Sequence, residues 1–151
     1  MSEFDKCLAS AQRSLAMREH SSFQIKNKLL SKGFNTEIIE RVLLEIQQTG
    51  FQSDARYTEE YIRHRQNSGY GSRKIVYELK SNGISSMLIN SNQDNFIKDD
   101  DILFEFAKTK ILDKNLDDKK ILTKYINHFR SRGFESEVIL KVIKKIKSYE
   151  K

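Results

Sequence analysis

Histidine, cysteine and paired carboxylates build most catalytic and metal sites, and in this chain they are few and scattered. His20, His64 and His128 stand far apart, Cys7 is the only cysteine, and neither His-Glu-x-x-His nor Cys-x-x-Cys occurs. Zinc and thiol chemistry therefore lack their ligands, and no metal is expected. The run Gly69-Tyr70-Gly71-Ser72-Arg73-Lys74 has the look of a phosphate loop. It lacks the four-residue gap, the Lys-Ser/Thr ending and a preceding strand, which leaves an interhelical turn. Asp99 to Asp101 and Asp117-Asp118 could in principle exchange protons, but adjacent acids at helix starts are caps and dipole partners first. Tyr57 and Tyr61, one turn apart, suit a core or an interface as well as a stacking platform for bases. No catalytic set emerges, no cofactor is implied, and the chain is not expected to be an enzyme.

What the reactive side chains do form is a basic and aromatic cluster: Arg56, Arg63, Arg65, Tyr70, Arg73, Lys74, Tyr77 and Lys80. In the helix after Gly71, Ile75 and Leu79 take the core stripe. Arg73, Tyr77 and Lys80 then share another face at i, i+4, i+7 spacing. Arginine and tyrosine together make interface anchors, although the same residues would also coat the outside of a slender helical stack. A second basic set, Lys141, Lys144, Lys145 and Lys147, lies near the C-terminus. The net charge of +6 is unevenly spread. Residues 1–90 carry 13 Lys/Arg against 10 Asp/Glu, residues 91–118 carry 4 against 8, and residues 119–151 carry 10 against 3. That asymmetry permits contact with nucleic acid or an acidic protein surface, and a Lys-rich solvated face would have the same composition.

These residues must be positioned by helices. The chain has 151 residues and no proline, where average usage would supply about seven, so long helices can run unbroken. Enough apolar residues are present for a core without disulfides or metals. The lone Cys7 points to a reducing compartment, and no segment approaches the roughly 18 apolar residues of a membrane span, so a cytoplasmic protein is expected. Five of the six glycines precede a large side chain: Gly33-Phe34, Gly50-Phe51, Gly69-Tyr70, Gly83-Ile84 and Gly133-Phe134. Four residues before each stand Leu29, Ile46, Arg65, Leu79 and Phe129. This is the pattern of a helix end at which glycine turns left-handed and the next residue folds back on the last turn. The stem of Arg65 is expected to lie against Tyr70.

Gly33, Gly83 and Gly133 are 50 residues apart. Around them align Ile25, Ile75 and Tyr125, then Leu29, Leu79 and Phe129, then Ile39, Ile89 and Ile139. The period divides the chain into three tandem three-helix units, 1–52, 53–95 and 96–151. Ser21 with Gln24 forms a capping box. Thr36, Ser86 and Ser136, three residues past each glycine, are expected to cap the third helices. The polar tract Asn90 to Asn95 predicts a short third helix in unit two and a hinge after it. Unit three opens at the acidic triplet and closes with the basic helix from Ser136 to Lys147.

Three segments resemble motifs of a known family. They are Arg18-Glu19-His20-Ser21-Ser22-Phe23-Gln24-Ile25, then Gly50-Phe51-Gln52-Ser53-Asp54-Ala55-Arg56-Tyr57 continuing to Arg65, then Gly69-Tyr70-Gly71-Ser72-Arg73-Lys74 continuing to Gly83-Ile84. In order and spacing they are similar to the RecX regulatory proteins of bacteria. The resemblance implies an all-α fold of tandem three-helix units in an elongated, curved body that lies in the groove of a RecA filament on single-stranded DNA. It also implies hindered filament growth, ATP hydrolysis, strand exchange and stimulated LexA cleavage. Ser72, where the family commonly has proline, and Gln52-Ser53, where an apolar-acidic pair is more usual, depart from the pattern.

RecA is the expected partner, with single-stranded DNA inside the filament as a further contact, no membrane partner, and a monomeric state. Arg56, Arg63, Arg65, Tyr70, Arg73, Lys74 and Lys80 are the expected RecA-facing residues. Lys141, Lys144, Lys145 and Lys147 are expected to attract DNA or an acidic surface. The alternative is a basic helical protein that binds DNA without sequence preference and without RecA.

Overall fold

The computed structural model describes residues 1–149. Its helices are α1 (Glu3–Met17), α2 (Ser22–Ser31), α3 (Thr36–Gln48), α4 (Asp54–Asn67), α5 (Ser72–Ser81), α6 (Ser86–Ser91), α7 (Asp99–Ile111), α8 (Lys119–Ser131) and α9 (Ser136–Tyr149). A short 3-10 turn over Gln93–Asn95 follows α6, and no strand occurs among the described residues. The fold is an all-α helical repeat. Gly33, Gly50, Gly69, Gly83 and Gly133 all take positive φ. At four of these ends the amide after the glycine bonds back to the carbonyl of the apolar or arginine partner: Phe34 to Leu29, Tyr70 to Arg65, Ile84 to Leu79 and Phe134 to Phe129, at 3.0 to 3.3 Å. The exception is Gly50, where Phe51 stays half exposed and the amide of Gln52 reaches Ile46 instead, at 3.0 Å.

Cap positions differ by one residue from the expectation. The side chain of Asn35, not Thr36, accepts the Glu37 amide at the start of α3, and Ser85, not Ser86, accepts the Leu88 amide at 3.1 Å. Two residues suffice to leave the left-handed glycine, so Thr36, Ser86 and Ser136 are already helical. The capping box of Ser21 and Gln24 is present in both directions, and α6 is only six residues long.

The chain forms two compact bodies. The first comprises Met1–Glu60 with Leu79–Ser91. Its core sets Cys7 and Ala11 of α1 against Ile25, Leu29, Ile39, Val42, Leu43 and Ile46. Small residues at Cys7, Ser10, Ala11 and Ser14 are all buried in α1, which lets α3 approach closely with its branched side chains. Cys7 is thus a packing residue, and burial pushes its thiol pKa up, away from reactivity. His20 is also buried, and burial holds its pKa below 6.5. The second body comprises Tyr61–Glu78 and the chain from Asn92 onward. Leu103, Ala107, Ile111, Phe129, Phe134, Ile139 and Ile143 anchor its core.

One contact recurs in both bodies. The first amide of a helix has no intrahelical acceptor. In α2 the Ser22 amide donates to Asp54 Oδ1 at 2.8 Å, and in α5 the Ser72 amide donates to Asp99 Oδ1 at 3.0 Å while its hydroxyl donates to Oδ2 at 2.6 Å. Ser22 and Ser72 are 50 residues apart in register. Each aspartate is the first residue of a later helix, α4 or α7. Asp99 therefore caps α5 and not its own helix, whose N-cap, Lys98, makes no side-chain capping bond.

Gly71 has a different purpose from the other five glycines. Its φ is not positive, but its amide donates to the Arg132 carbonyl at 2.8 Å. A Cβ there would collide with the Gly133 carbonyl, and one on Gly133 would meet Lys74 Cβ at 2.5 Å. The start of α5 and the α8–α9 turn thus meet backbone to backbone. Gly71→Ala is expected to cost about 2 to 3 kcal/mol as overpacking. Gly33→Ala, where a Cβ meets nothing within 4 Å, should cost only the left-handed penalty of about 1 kcal/mol. Urea denaturation measures both, and a near-neutral Gly71→Ala would refute the close approach.

Candidate functional site

The helix α5 is continuous, and its register separates core from surface as its spacing predicts. Ile75 and Leu79 are fully buried, and Tyr77 is 72% exposed. Arg73 and Lys80 are exposed beside it on the i, i+4, i+7 row. Arg73 makes only a loose ion pair with Glu135 at 3.6 Å, both side chains being more than half exposed. Arg63 of α4 is also exposed. Lys74 is half-buried, its Nζ 5.5 Å from the Tyr70 ring centre.

Other members of the basic cluster are committed to the fold. In the first body, Arg56 bonds Glu19 at 2.5 Å and donates through Nη2 to the Phe51 carbonyl at 2.9 Å, tying the start of α4 to the segment before α2. In the second body, Arg65 clasps Glu78 with two hydrogen bonds, at 3.0 and 2.8 Å. Burial opposes the guanidinium charge there, but the hydrogen bonds and charge of Glu78 prevail and hold its pKa above the ordinary value. The Arg65 guanidinium carbon lies 3.7 Å from the Tyr70 ring centre, and that of Arg132 lies 3.9 Å from it. Two guanidiniums cannot share one ring face at those distances, so they sandwich the ring. Arg132 lies 4.2 Å from the Phe106 ring centre as well, completing a stack of Arg65, Tyr70, Arg132 and Phe106. Arg132 also donates from Nε to the Gly69 carbonyl at 3.0 Å and from Nη2 to the Ser68 carbonyl.

Arg132 is the residue that the sequence did not single out. Its only signal was its place before Gly133 in a turn of the repeat, where Lys32 and Asn82 are its counterparts. Its tie to the Gly69-Tyr70-Gly71 turn fixes where α5 begins, and so where Arg73 and Lys74 project.

The lysines of α9 divide similarly. Lys141 pairs with Asp100 at 2.8 Å. The hydrogen bond from Lys141 keeps Asp100 below the usual carboxylate range, and Asp100 in turn raises Lys141. Lys147 lies 3.3 Å from Asp117, and Lys145 Nζ is 4.4 Å from the Phe104 ring centre. Lys144 is exposed. No group of three His, Cys, Asp or Glu converges as a metal site among the described residues. Asp118 accepts the Lys120 and Ile121 amides at the start of α8, which accounts for one of the paired carboxylates as a cap. Tyr57 is buried and accepts from Asn82 Nδ2 at 3.0 Å.

Comparison with known proteins agrees with this architecture. Residues 7–45 match the family model described as RecX, first three-helix domain, and residues 53–91 match RecX, second three-helix domain. Regulatory protein RecX of Legionella pneumophila (strain Corby) is 39% identical over 147 residues, covering 95% of this chain and 96% of the relative. Regulatory protein RecX of Haemophilus ducreyi is 34% identical over 125 residues, 82% and 81% of the two chains. The crystal structure of RecX from Lactobacillus salivarius superposes with a TM-score of 0.76 at 18% identity, covering 96% and 97% of the chains. That likeness shows a shared fold. No helix among the described residues is long and apolar enough to cross a membrane.

The stack separates structural from exposed arginines in a testable way. Tyr70→Leu removes the ring between two guanidiniums and is expected to cost about 2 kcal/mol. Arg73→Ala, on the surface, should change stability by less than about 0.5 kcal/mol. Equal losses in denaturant titrations would show that the stack does not hold the turn.

Proposed function

The chain belongs to the RecX family of regulatory proteins, and from that premise we propose that it modulates the RecA recombinase. It binds the RecA filament on single-stranded DNA as a monomer built of three tandem three-helix units. By occupying contacts between RecA protomers it restrains filament growth, ATP hydrolysis, strand exchange and stimulated LexA cleavage. It acts in the cytoplasm by binding and not by catalysis. Of the paired carboxylates that could have served chemistry, Asp99 and Asp118 are engaged in caps, and Asp100 and Asp117 in ion pairs.

The observation that carries this reading is the exposed row Arg73, Tyr77 and Lys80 on α5, within the segment matched by the second RecX domain model. A tyrosine flanked by two cations offers apolar area, a hydroxyl and charge at little entropic cost, as interface hot spots do. Arg63 and Lys74 extend the RecA-facing set. Arg56, Arg65 and Tyr70 contribute by holding the helices that present it. The cations also speed encounter with an acidic partner surface.

Titration of the protein into RecA hydrolysing ATP on single-stranded DNA tests the reading. Inhibition is expected well below one copy per RecA protomer, as a block to filament growth requires. Arg73→Glu with Lys80→Glu should preserve helicity and shift the inhibition curve at least tenfold, about 1.4 kcal/mol. A fully active RecA at equimolar protein would refute the proposal, and an unchanged curve for the double variant would move the interface off α5.

A further inference from the structure

Exposed apolar side chains gather at one place in the second body. The helices α7 and α9 pack through Leu103, Ala107 and Ile111 against Ile143 and Ile146. Beside that seam Phe104, Lys108 and Leu112 follow one another at i, i+4, i+8 along α7 and its cap, and Tyr149 stands four residues after Lys145 on α9. Leu112 is 54% exposed and Tyr149 68%. With Thr109 and Ile146 they line an open cavity of about 430 Å3. Ligand sites span roughly 300–1,000 Å3, so this one, near the lower end, has room for one or two apolar side chains.

The charges at its rim are of one sign. Lys108 Nζ lies 5.7 Å and Lys145 Nζ 4.4 Å from the Phe104 ring centre, and the Tyr149 ring centre lies 5.8 Å from it. Cation–π contact holds an ammonium group without neutralising it. Lys108 also meets Glu105 at 2.7 Å, in a solvent-exposed i, i+3 pair, and such pairs exchange partners at little cost. Lys145 pairs with no carboxylate among the described residues. The Thr109 hydroxyl donates to the Phe106 carbonyl at 3.4 Å. The lining thus combines apolar surface with cations and contains no carboxylate.

We propose that this slot docks an acidic and apolar peptide segment of a partner protein. A leucine or phenylalanine side chain of the segment fills the gap between Leu112 and Tyr149, and flanking carboxylates meet Lys108 and Lys145. Charge complementarity decides the occupant. A nucleic acid would satisfy the lysines and leave the aliphatic wall exposed to water. A second copy of the chain would bring a net charge of +6 against like charge. A fatty acid matches both features, but walls this exposed leave much of its chain in water. A peptide carries carboxylate and apolar group on neighbouring residues, and its backbone can run past the open side of the slot.

The test uses the full chain and a fluorescein-labelled peptide, Gly-Asp-Asp-Leu-Phe-Asp-Gly, followed by anisotropy in about 100 mM salt without RecA. The peptide should bind saturably. Its counterpart with serine for leucine and phenylalanine should bind about tenfold more weakly, the loss of an apolar anchor. Leu112→Ser, at an exposed position, should weaken binding about tenfold, and so should Lys145→Glu. Lys120→Glu, the same charge change on the exposed side of α8, should alter it less than about twofold. Lys145→Glu should also bind Gly-Lys-Lys-Leu-Phe-Lys-Gly more tightly than the unmodified protein does, a gain that no destabilised fold would produce. Absence of saturable binding, equal binding of the serine peptide, or full affinity in Leu112→Ser would each overturn the proposal. So would displacement of the labelled peptide by decanoate as effectively as by unlabelled peptide, or a sedimenting dimer that Leu112→Ser disperses. Because RecA is absent, none of these outcomes bears on the RecA reading, and loss of RecA inhibition would not bear on this one.

Discussion

A helix cannot satisfy its own first amides, and at the starts of α2 and α5 a later helix supplies a missing acceptor. Asp54 takes the amide of Ser22 and Asp99 that of Ser72, at matching places in the 50-residue register. A carboxylate bonded to an N-terminal amide gains from charge and helix dipole together. Each such bond also fixes two helix starts against one another, since the aspartate is itself the first residue of a helix. Gln66 makes a related tie to the segment before α7, donating to the Ile97 carbonyl at 2.9 Å and accepting the Ile97 amide at 3.1 Å. These polar clasps hold helix starts in register, and burial of the apolar cores supplies the main driving force for packing.

The second body adds a tighter constraint. With Gly71 and Gly133 in backbone contact, no side chain can separate the start of α5 from the α8–α9 turn. Arg132 closes the seam from the other side, bonding Gly69 and Ser68 while lying between the rings of Tyr70 and Phe106. The orientation of Arg73 and Lys74, just after Gly71, follows from this seam. The exposed row of α5 is therefore preorganised, which limits the conformational entropy that binding at that row would cost.

Helix ends were the most legible part of the sequence. Glycine followed by a large residue has a local cause, the left-handed C′ position, so it could be read without tertiary information, and it failed only at Gly50-Phe51. The buried stripe Ile75 and Leu79 and the exposed row opposite it followed from helical period alone. The contact of Arg65 with Tyr70 was legible from the helix-end pattern and is present at 3.7 Å, but the fold-holding roles of Arg56 and Arg132 were not, because an arginine tied into a fold and one that faces a partner have the same composition and the same neighbours in sequence. Asp99 was likewise indistinguishable from a cap of its own helix, since its acceptor is used 27 residues away. The pairing of Lys141 with Asp100 removed charge from the helix that looked most basic.

The proposed contact of the outward row of α5 with RecA is tested most directly by a photo-reactive benzoylphenylalanine in place of Tyr77. Tyr77 is 72% exposed at the middle of that row, and Leu44 on α3, 56% exposed, serves as the comparison position. Irradiation with RecA filaments on single-stranded DNA should yield a RecA adduct from position 77 and none from position 44. An adduct from position 44 with none from position 77 would contradict the account.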